Sequence, residues 1–140
     1  MTMALAPAIE SYALGRVDVG DGDLPVAIAG GGPSLVMLHG WTLDHRMWQP
    51  QIAALGAHFR LIMPDRRGFG GSTAPANLAR EVDDIVRIAD ALGLDRFALA
   101  GLSQGAAVAL DFAIRYPDRL HAVALAGTPL PGLVPNADSV

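Results

Sequence analysis

The segment Gly101-Leu102-Ser103-Gln104-Gly105 sets a serine midway between two glycines, the spacing of a sharp strand-to-helix turn that lifts a hydroxyl out of the fold. Such a hydroxyl attacks a carbonyl carbon when a base takes its proton and N–H donors receive the charge developing on the carbonyl oxygen. The helix expected next directs its first amides at that charge, which makes the backbone N–H of Gln104 a candidate oxyanion donor. The same residues also fit a plainer reading, in which Ser103 caps the helix and the glycines only make a tight loop. Other chemistries are poorly supplied. The chain has no cysteine, so a thiolate nucleophile, a disulfide framework and a thiolate metal site are excluded. His39, His45, His58 and His121 form no recognisable metal-ligand spacing. Gly30-Gly31-Gly32-Pro33 lacks the glycine spacing of a dinucleotide fingerprint, and a chain without lysine has no P-loop lysine. No cofactor is expected.

The elements needed to hold that turn are visible in the pattern. Short apolar runs around the turn Asp21-Gly22-Asp23 predict a hairpin with strands near Tyr12–Val19 and Leu24–Ala29. Leu35–Leu38 is an uninterrupted apolar run that stops at His39-Gly40, the pattern of a strand buried on both faces. A helix through Trp48, Ile52 and Leu55 ends at Gly56, and Phe59–Met63 reads as the next strand. The glycine-rich stretch 65–75 is a loop. Val82, Ile85, Val86, Ala89 and Leu92 recur at helical spacing within Leu78–Leu92. Phe97–Ala100 is a strand, Ala106–Tyr116 a helix ended by Pro117, and Leu120–Ala126 the last strand. A hairpin followed by strand–helix units predicts a three-layer α/β architecture with a mostly parallel sheet.

Composition agrees with a packed domain. Of 140 residues, 51% are apolar and 17% charged, the reverse of a disordered chain. Ten arginines against fourteen acids leave a net charge of −4, and the adjacent Arg66 and Arg67 are too few to form a basic patch, so nucleic acid is not an expected partner. No stretch has the length and apolarity of a bilayer-spanning helix or of a secretory leader, so a membrane partner is not expected and the cytoplasm is the expected location.

Three blocks in order, LVMLHGW at 35–41, DRRGFGGS at 65–72 and ALAGLSQGAA at 98–107, make the chain resemble the α/β-hydrolase superfamily, and within it the serine esterase and lactonase-like branch. The resemblance implies a three-layer α/β-hydrolase fold truncated after the sixth strand. Residues 1–140 would form the N-terminal portion of a single domain, with 131–140 an irregular tail. It further implies Ser103 as nucleophile, the backbone N–H groups of Trp41 and Gln104 as oxyanion donors, and an apolar pocket shaped by the Trp41 indole. His39 and Gly40 would shape the oxyanion loop. Asp65, Arg67, Gly68, Gly70 and Ser72 would build the second loop, and Gly101 and Gly105 the nucleophile turn. The implied substrate is a small ester or lactone, hydrolysed through an acyl-enzyme. Serine at 103 separates the chain from relatives with an aspartate nucleophile. A carbon–carbon bond hydrolase or a perhydrolase shares the same early blocks, although Gln104 stands where perhydrolase-like relatives frequently carry methionine.

The family order is serine, then acid, then histidine. After Ser103 the acids are Asp111, Asp118 and Asp138, and the one histidine is His121. Asp111 falls inside a helix, Asp118 and His121 fall at the far end of the last strand, and Asp138 has no histidine after it. None matches the expected acid or base. His45 and His58 precede the serine and read as loop or surface residues. A different class of function is therefore open, a noncatalytic binding or interaction protein on a hydrolase scaffold, with Leu120–Ala126 offering an open sheet edge for association.

Overall fold

Side chains alternate between the two faces of a strand, and the apolar runs of this chain feed two buried clusters on opposite faces of one sheet. The computed structural model describes residues 11–129; the expected irregular tail, 131–140, and Asp138 lie outside the described residues. The elements are β1 (Ala13–Asp18), β2 (Asp23–Gly30), β3 (Ser34–Leu38), α1 (Gln49–Leu55), β4 (Arg60–Pro64), α2 (Glu81–Ala91), β5 (Phe97–Leu102), α3 (Gln104–Arg115) and β6 (Leu120–Ala126). The sheet order is β1-β2-β4-β3-β5-β6. The β1–β2 hairpin is antiparallel and β2 joins β4 antiparallel, while β4, β3, β5 and β6 run parallel. This is a three-layer α/β-hydrolase architecture.

One face carries Val36 and Leu38 of β3, Ile62 of β4 and Phe97 and Leu99 of β5 against α2 and α3, through Val82, Ile85 and Ile88 and through Val108, Ala109 and Phe112. The other carries Ala27, Ala29, Met37, Leu61 and Met63 against Ile52 of α1. Burial of an aliphatic side chain of this size contributes about 1.5–3 kcal/mol, so the larger cluster dominates the folding energy and fixes β3 and β5 side by side.

Three local differences from the sequence pattern have physical causes. A 3-10 turn, His45–Trp48, precedes α1 because Asp44 accepts from the Arg46 N–H and Pro50 can sit only in the first turn of a helix. The helix expected from Leu78 opens as a 3-10 turn over Leu78–Arg80, its Asn77 side chain accepting from the Ala79 N–H. The buried stripe of α2 runs through Glu81, Val82, Asp84, Ile85, Ile88 and Ala89, with Val86 and Leu92 half-buried against the same core, so Ile88 joins the expected stripe and two acids are buried with it. Strand β6 lies at the sheet edge, exposed from His121 onward, with Val123 and Leu125 uncovered. No described helix is long and apolar enough to cross a membrane.

Candidate functional site

The parallel strands β3, β4 and β5 deliver their C-terminal loops to one rim of the sheet. The β5 loop is the tightest. Ser103 sits at φ +53° and ψ −117°, a left-handed conformation costly for a side chain bearing a Cβ. Its N–H donates to the Ala126 carbonyl of β6 (2.8 Å), and its own carbonyl accepts from Ala106 and Ala107 (2.9 and 3.1 Å), which starts α3 at once. Ser103 occupies the N-cap position, yet its side chain makes no capping hydrogen bond and is exposed. The turn fits only because its neighbours lack side chains. A Cβ on Gly101 would lie 2.4 Å from the Gly105 carbonyl oxygen, and one on Gly105 would lie 2.4 and 2.5 Å from the carbonyl oxygens of Leu38 and His39. The start of α3 therefore rests directly on the end of β3.

That contact brings the β3 loop to the serine. A Cβ on Gly40 would be 3.7 Å from the Ser103 Cβ, which puts the Gly40-Trp41 peptide beside the Ser103 turn. Trp41 is 67% exposed and borders an open cleft of about 580 Å³ together with Phe69, Leu78 and Gln104. His39 is fully buried. Its Nδ1 faces the Gly40 carbonyl (2.8 Å), and its Nε2 accepts the Arg66 N–H (2.9 Å). A carbonyl only accepts, so Nδ1 carries the proton and the ring is neutral. Burial holds its pKa below the usual histidine value.

The β4 loop is built from ions. Asp65 accepts from the His45 N–H (2.8 Å), from His45 Nδ1 (2.6 Å) and from the Gly71 N–H (2.9 Å). His45 Nε2 lies 3.2 Å from the Tyr12 hydroxyl. Arg67 is fully buried, donating to Asp84 (2.6 and 2.7 Å), to Asp21 (3.1 and 3.2 Å) and to the Pro75 carbonyl, and the Asp84 bond raises its pKa further. Ser72 Oγ reaches the Asp23 carbonyl at 3.3 Å, and Gly68 and Gly70 take positive φ. Arg66 is also buried, donating to Glu81 (2.8 and 3.2 Å), to the His39 carbonyl (2.9 Å) and to Gln104 Oε1 (2.9 Å). Burial pushes the Glu81 carboxyl up, with Arg66 opposing it.

Sequence reasoning missed two of these features. His45 is no surface histidine, because its side chain is 12% exposed and bonded to Asp65. Arg66 is the junction of the three loops. Acids at Glu81 and Asp84 inside the apolar stripe of α2 were the available signal for buried arginines. Asp44, His45 and Asp65 offer ligand atoms within 4.8 Å of one another, but both carboxylates already accept protein donors and the Arg46 guanidinium binds Asp44, an arrangement built around hydrogen bonds rather than a cation.

Apart from His45, the described acids and histidines set aside from the sequence do lie away from this rim. Asp111 and Asp118 are exposed, and His121 is exposed near the start of β6. Leu120 pairs with Phe97 and Ala126 with Leu102, so His121 lies roughly 15–20 Å along the sheet from the Ser103 rim. His58, exposed, precedes β4 at that opposite rim.

Residues 33–139 match the alpha/beta hydrolase fold family. The chain belongs to that family. Among its curated relatives, this hydrolase-fold chain is 37% identical over 129 residues to the 2-hydroxy-6-oxo-2,4-heptadienoate hydrolase of Pseudomonas putida, covering 89% of the chain and 43% of the relative. It is 34% identical over 98 residues to 3-oxoadipate enol-lactonase 1 of Acinetobacter baylyi, covering 69% of the chain and 37% of the relative. A hydrolase from Pseudomonas aeruginosa PA01 superposes with a TM-score of 0.79 at 32% identity, over 82% of this chain and 46% of that one. The chain thus spans less than half the length of each.

Proposed function

We propose that this hydrolase-fold chain carries the nucleophile and oxyanion portion of a serine hydrolase acting on small esters or lactones. The observation that supports it best is Ser103 itself, exposed in a positive-φ turn, its side chain free of the capping bond that the plainer reading requires. A base removes the Ser103 proton as Oγ bonds to the substrate carbonyl carbon, and the carbonyl π pair moves onto oxygen. The Trp41 and Gln104 N–H groups receive that charge. The oxyanion collapses, the C–O bond to the leaving alcohol breaks, and the base returns its proton to that oxygen. Water then repeats the sequence on the acyl-enzyme and releases acid and Ser103. His121 is not assigned as base, since it lies at the opposite rim, and His39 is not, since both ring nitrogens are engaged in the loop. The enol-lactonase relative supports a lactone or ester substrate.

A second reading, cleavage of a carbon–carbon bond next to a ketone, is favoured by the relative named as a 2-hydroxy-6-oxo-2,4-heptadienoate hydrolase, which aligns over 89% of the chain. Incubation with a serine-directed phosphonate and short acyl esters tests the main reading. The expected result is stoichiometric labelling and turnover, both lost in Ser103→Ala. Absence of both would leave a noncatalytic scaffold, and turnover of a vinylogous diketone without ester turnover would favour the second reading. The intact mass of the native product identifies whether an acid and a histidine following residue 140 belong to the same polypeptide.

A further inference from the structure

Gln104 has a second feature besides its backbone N–H. Its Oε1 accepts from Arg66 Nη2 at 2.9 Å. A guanidinium only donates, so the end of the amide that faces Arg66 is its carbonyl, and the NH2 end faces away. Among the described residues that NH2 has no hydrogen-bond partner, and it is not a buried unpaired group. Gln104 lines the cleft beside Trp41, Phe69 and Leu78, three side chains that supply apolar wall. Arg66 cannot swing to release the amide. It is 3% exposed, and Glu81 Oε2 and the His39 carbonyl hold its other nitrogens. A free glutamine turns about its last torsion and offers a donor or an acceptor equally well; a glutamine clamped at its oxygen offers donors alone.

We propose that Gln104 is a specificity-determining residue, whose side-chain NH2, clamped by Arg66, selects acyl groups that carry a second acceptor oxygen next to the reacting carbonyl. This rests on the serine-hydrolase reading for the position of the acyl group. An acyl chain with an ether, keto or carboxylate oxygen there gains a hydrogen bond in the cleft, and its all-carbon isostere leaves the amide donor facing hydrocarbon.

Methoxyacetone and 2-pentanone are matched probes, differing by one oxygen in place of one methylene and binding without turnover. In 15N-edited titrations of the protein, methoxyacetone is expected to bind about five- to tenfold more tightly, the size of one neutral hydrogen bond, and to shift the Gln104 side-chain NH2 signals. The preference is expected to vanish in Gln104→Met and in Gln104→Glu, which keeps an acceptor toward Arg66 but removes the donor, and to shrink in Arg66→Met. Equal binding of the two ketones, binding of neither, or a preference that survives Gln104→Glu overturns the proposal. Labelling of Ser103 by a propylphosphonate ester reports separately on the hydrolase reading: labelling without ketone discrimination removes the Gln104 assignment alone, and ketone discrimination without labelling removes the hydrolase reading while leaving the donor in the cleft.

Discussion

Around Ser103 the chain is held mainly by backbone against backbone: glycines at 101 and 105 let α3 start within van der Waals contact of the end of β3, and Arg66 reaches this turn from outside, through Gln104 Oε1 and the His39 carbonyl. At the same rim of the sheet, the loop from Asp65 to Ser72 is held by side chains that cross long stretches of sequence, Arg67 to Asp21 and Asp84, Arg66 to Glu81, and Asp65 to His45. The first region specifies geometry by excluding a Cβ at Gly101 and at Gly105, and the second by satisfying buried charge. They should fail differently, the packed turn to added atoms and the ionic loop to lost partners and to pH.

The largest expected effect is in the ionic loop. Arg67→Met keeps the apolar stem but leaves Asp84 buried without its guanidinium. Breaking a buried pair from one side costs about 3–5 kcal/mol, and the expected readout is a lowered urea midpoint with an unchanged slope. Exchanging both partners together, Arg67→Met with Asp84→Leu, is expected to recover much of that loss, because no lone charge remains. Failure to recover would mean that Arg67 acts mainly through Asp21 and the Pro75 carbonyl, and that the contrast between the regions is drawn at the wrong bond.

Next comes the packed turn. Gly105→Ala drives a methyl to 2.4 Å from the Leu38 carbonyl oxygen, an overlap that backbone movement must absorb at about 1–3 kcal/mol. Ser103 labelling should fall far more than stability does, since the same movement separates Gly40 from Ser103. Parallel losses in both readouts would mean that the glycine serves folding alone.

How much of this was legible in sequence follows the same division. The strand–turn–helix unit around Ser103 was readable because its determinants are local: an apolar run, two glycines and an alanine-rich helix start within ten residues. The parallel sheet followed from the uninterrupted runs at 35–38 and 97–100. The β4 loop was readable as a loop, but its bonds were not. Arg66 and Gln104 are 38 residues apart and His45 and Asp65 are 20 apart, and no periodicity links them. The pair of arginines is too few for a basic patch and Arg67 is expected to build the loop, but neither reading marks both as among the most buried side chains of the described residues. Charge excess measures solubility, whereas burial of an arginine depends on an acid that folding alone brings close.

A pH titration separates the regions at smaller amplitude. Burial depresses the His39 pKa from 6.5, and the Nε2 lone pair that would take the proton already accepts from the Arg66 N–H. The unfolded chain binds this proton more readily, so stability is fully present above about pH 6.5 and falls as pH drops toward the folded value. Urea midpoints between pH 5 and 8 should show this slope, and His39→Gln should flatten it. An unflattened slope would place the proton uptake elsewhere.

The smallest effect lies at the rim of the ionic loop, where Asp44 binds Arg46. The Arg46 hydrogen bond lowers the Asp44 carboxyl to about 2 from 3.8, so the stabilisation is present above pH 3.8 and is lost as pH falls through about 2. Yet the Arg46 side chain is 75% exposed, and solvent-exposed pairs contribute about 0–1 kcal/mol. Arg46→Ala is therefore expected to leave the neutral-pH urea midpoint nearly unchanged, with 0.5 M salt erasing the remainder. Asp44→Ala should cost more, about 1 kcal/mol, because it also removes the acceptor for the Arg46 N–H that caps the 3-10 turn before α1, and salt should not restore it. If the two variants instead lose equally, the exposed pair would be holding the loop after β3 electrostatically, and the ionic region would extend to the protein surface rather than ending at Asp65.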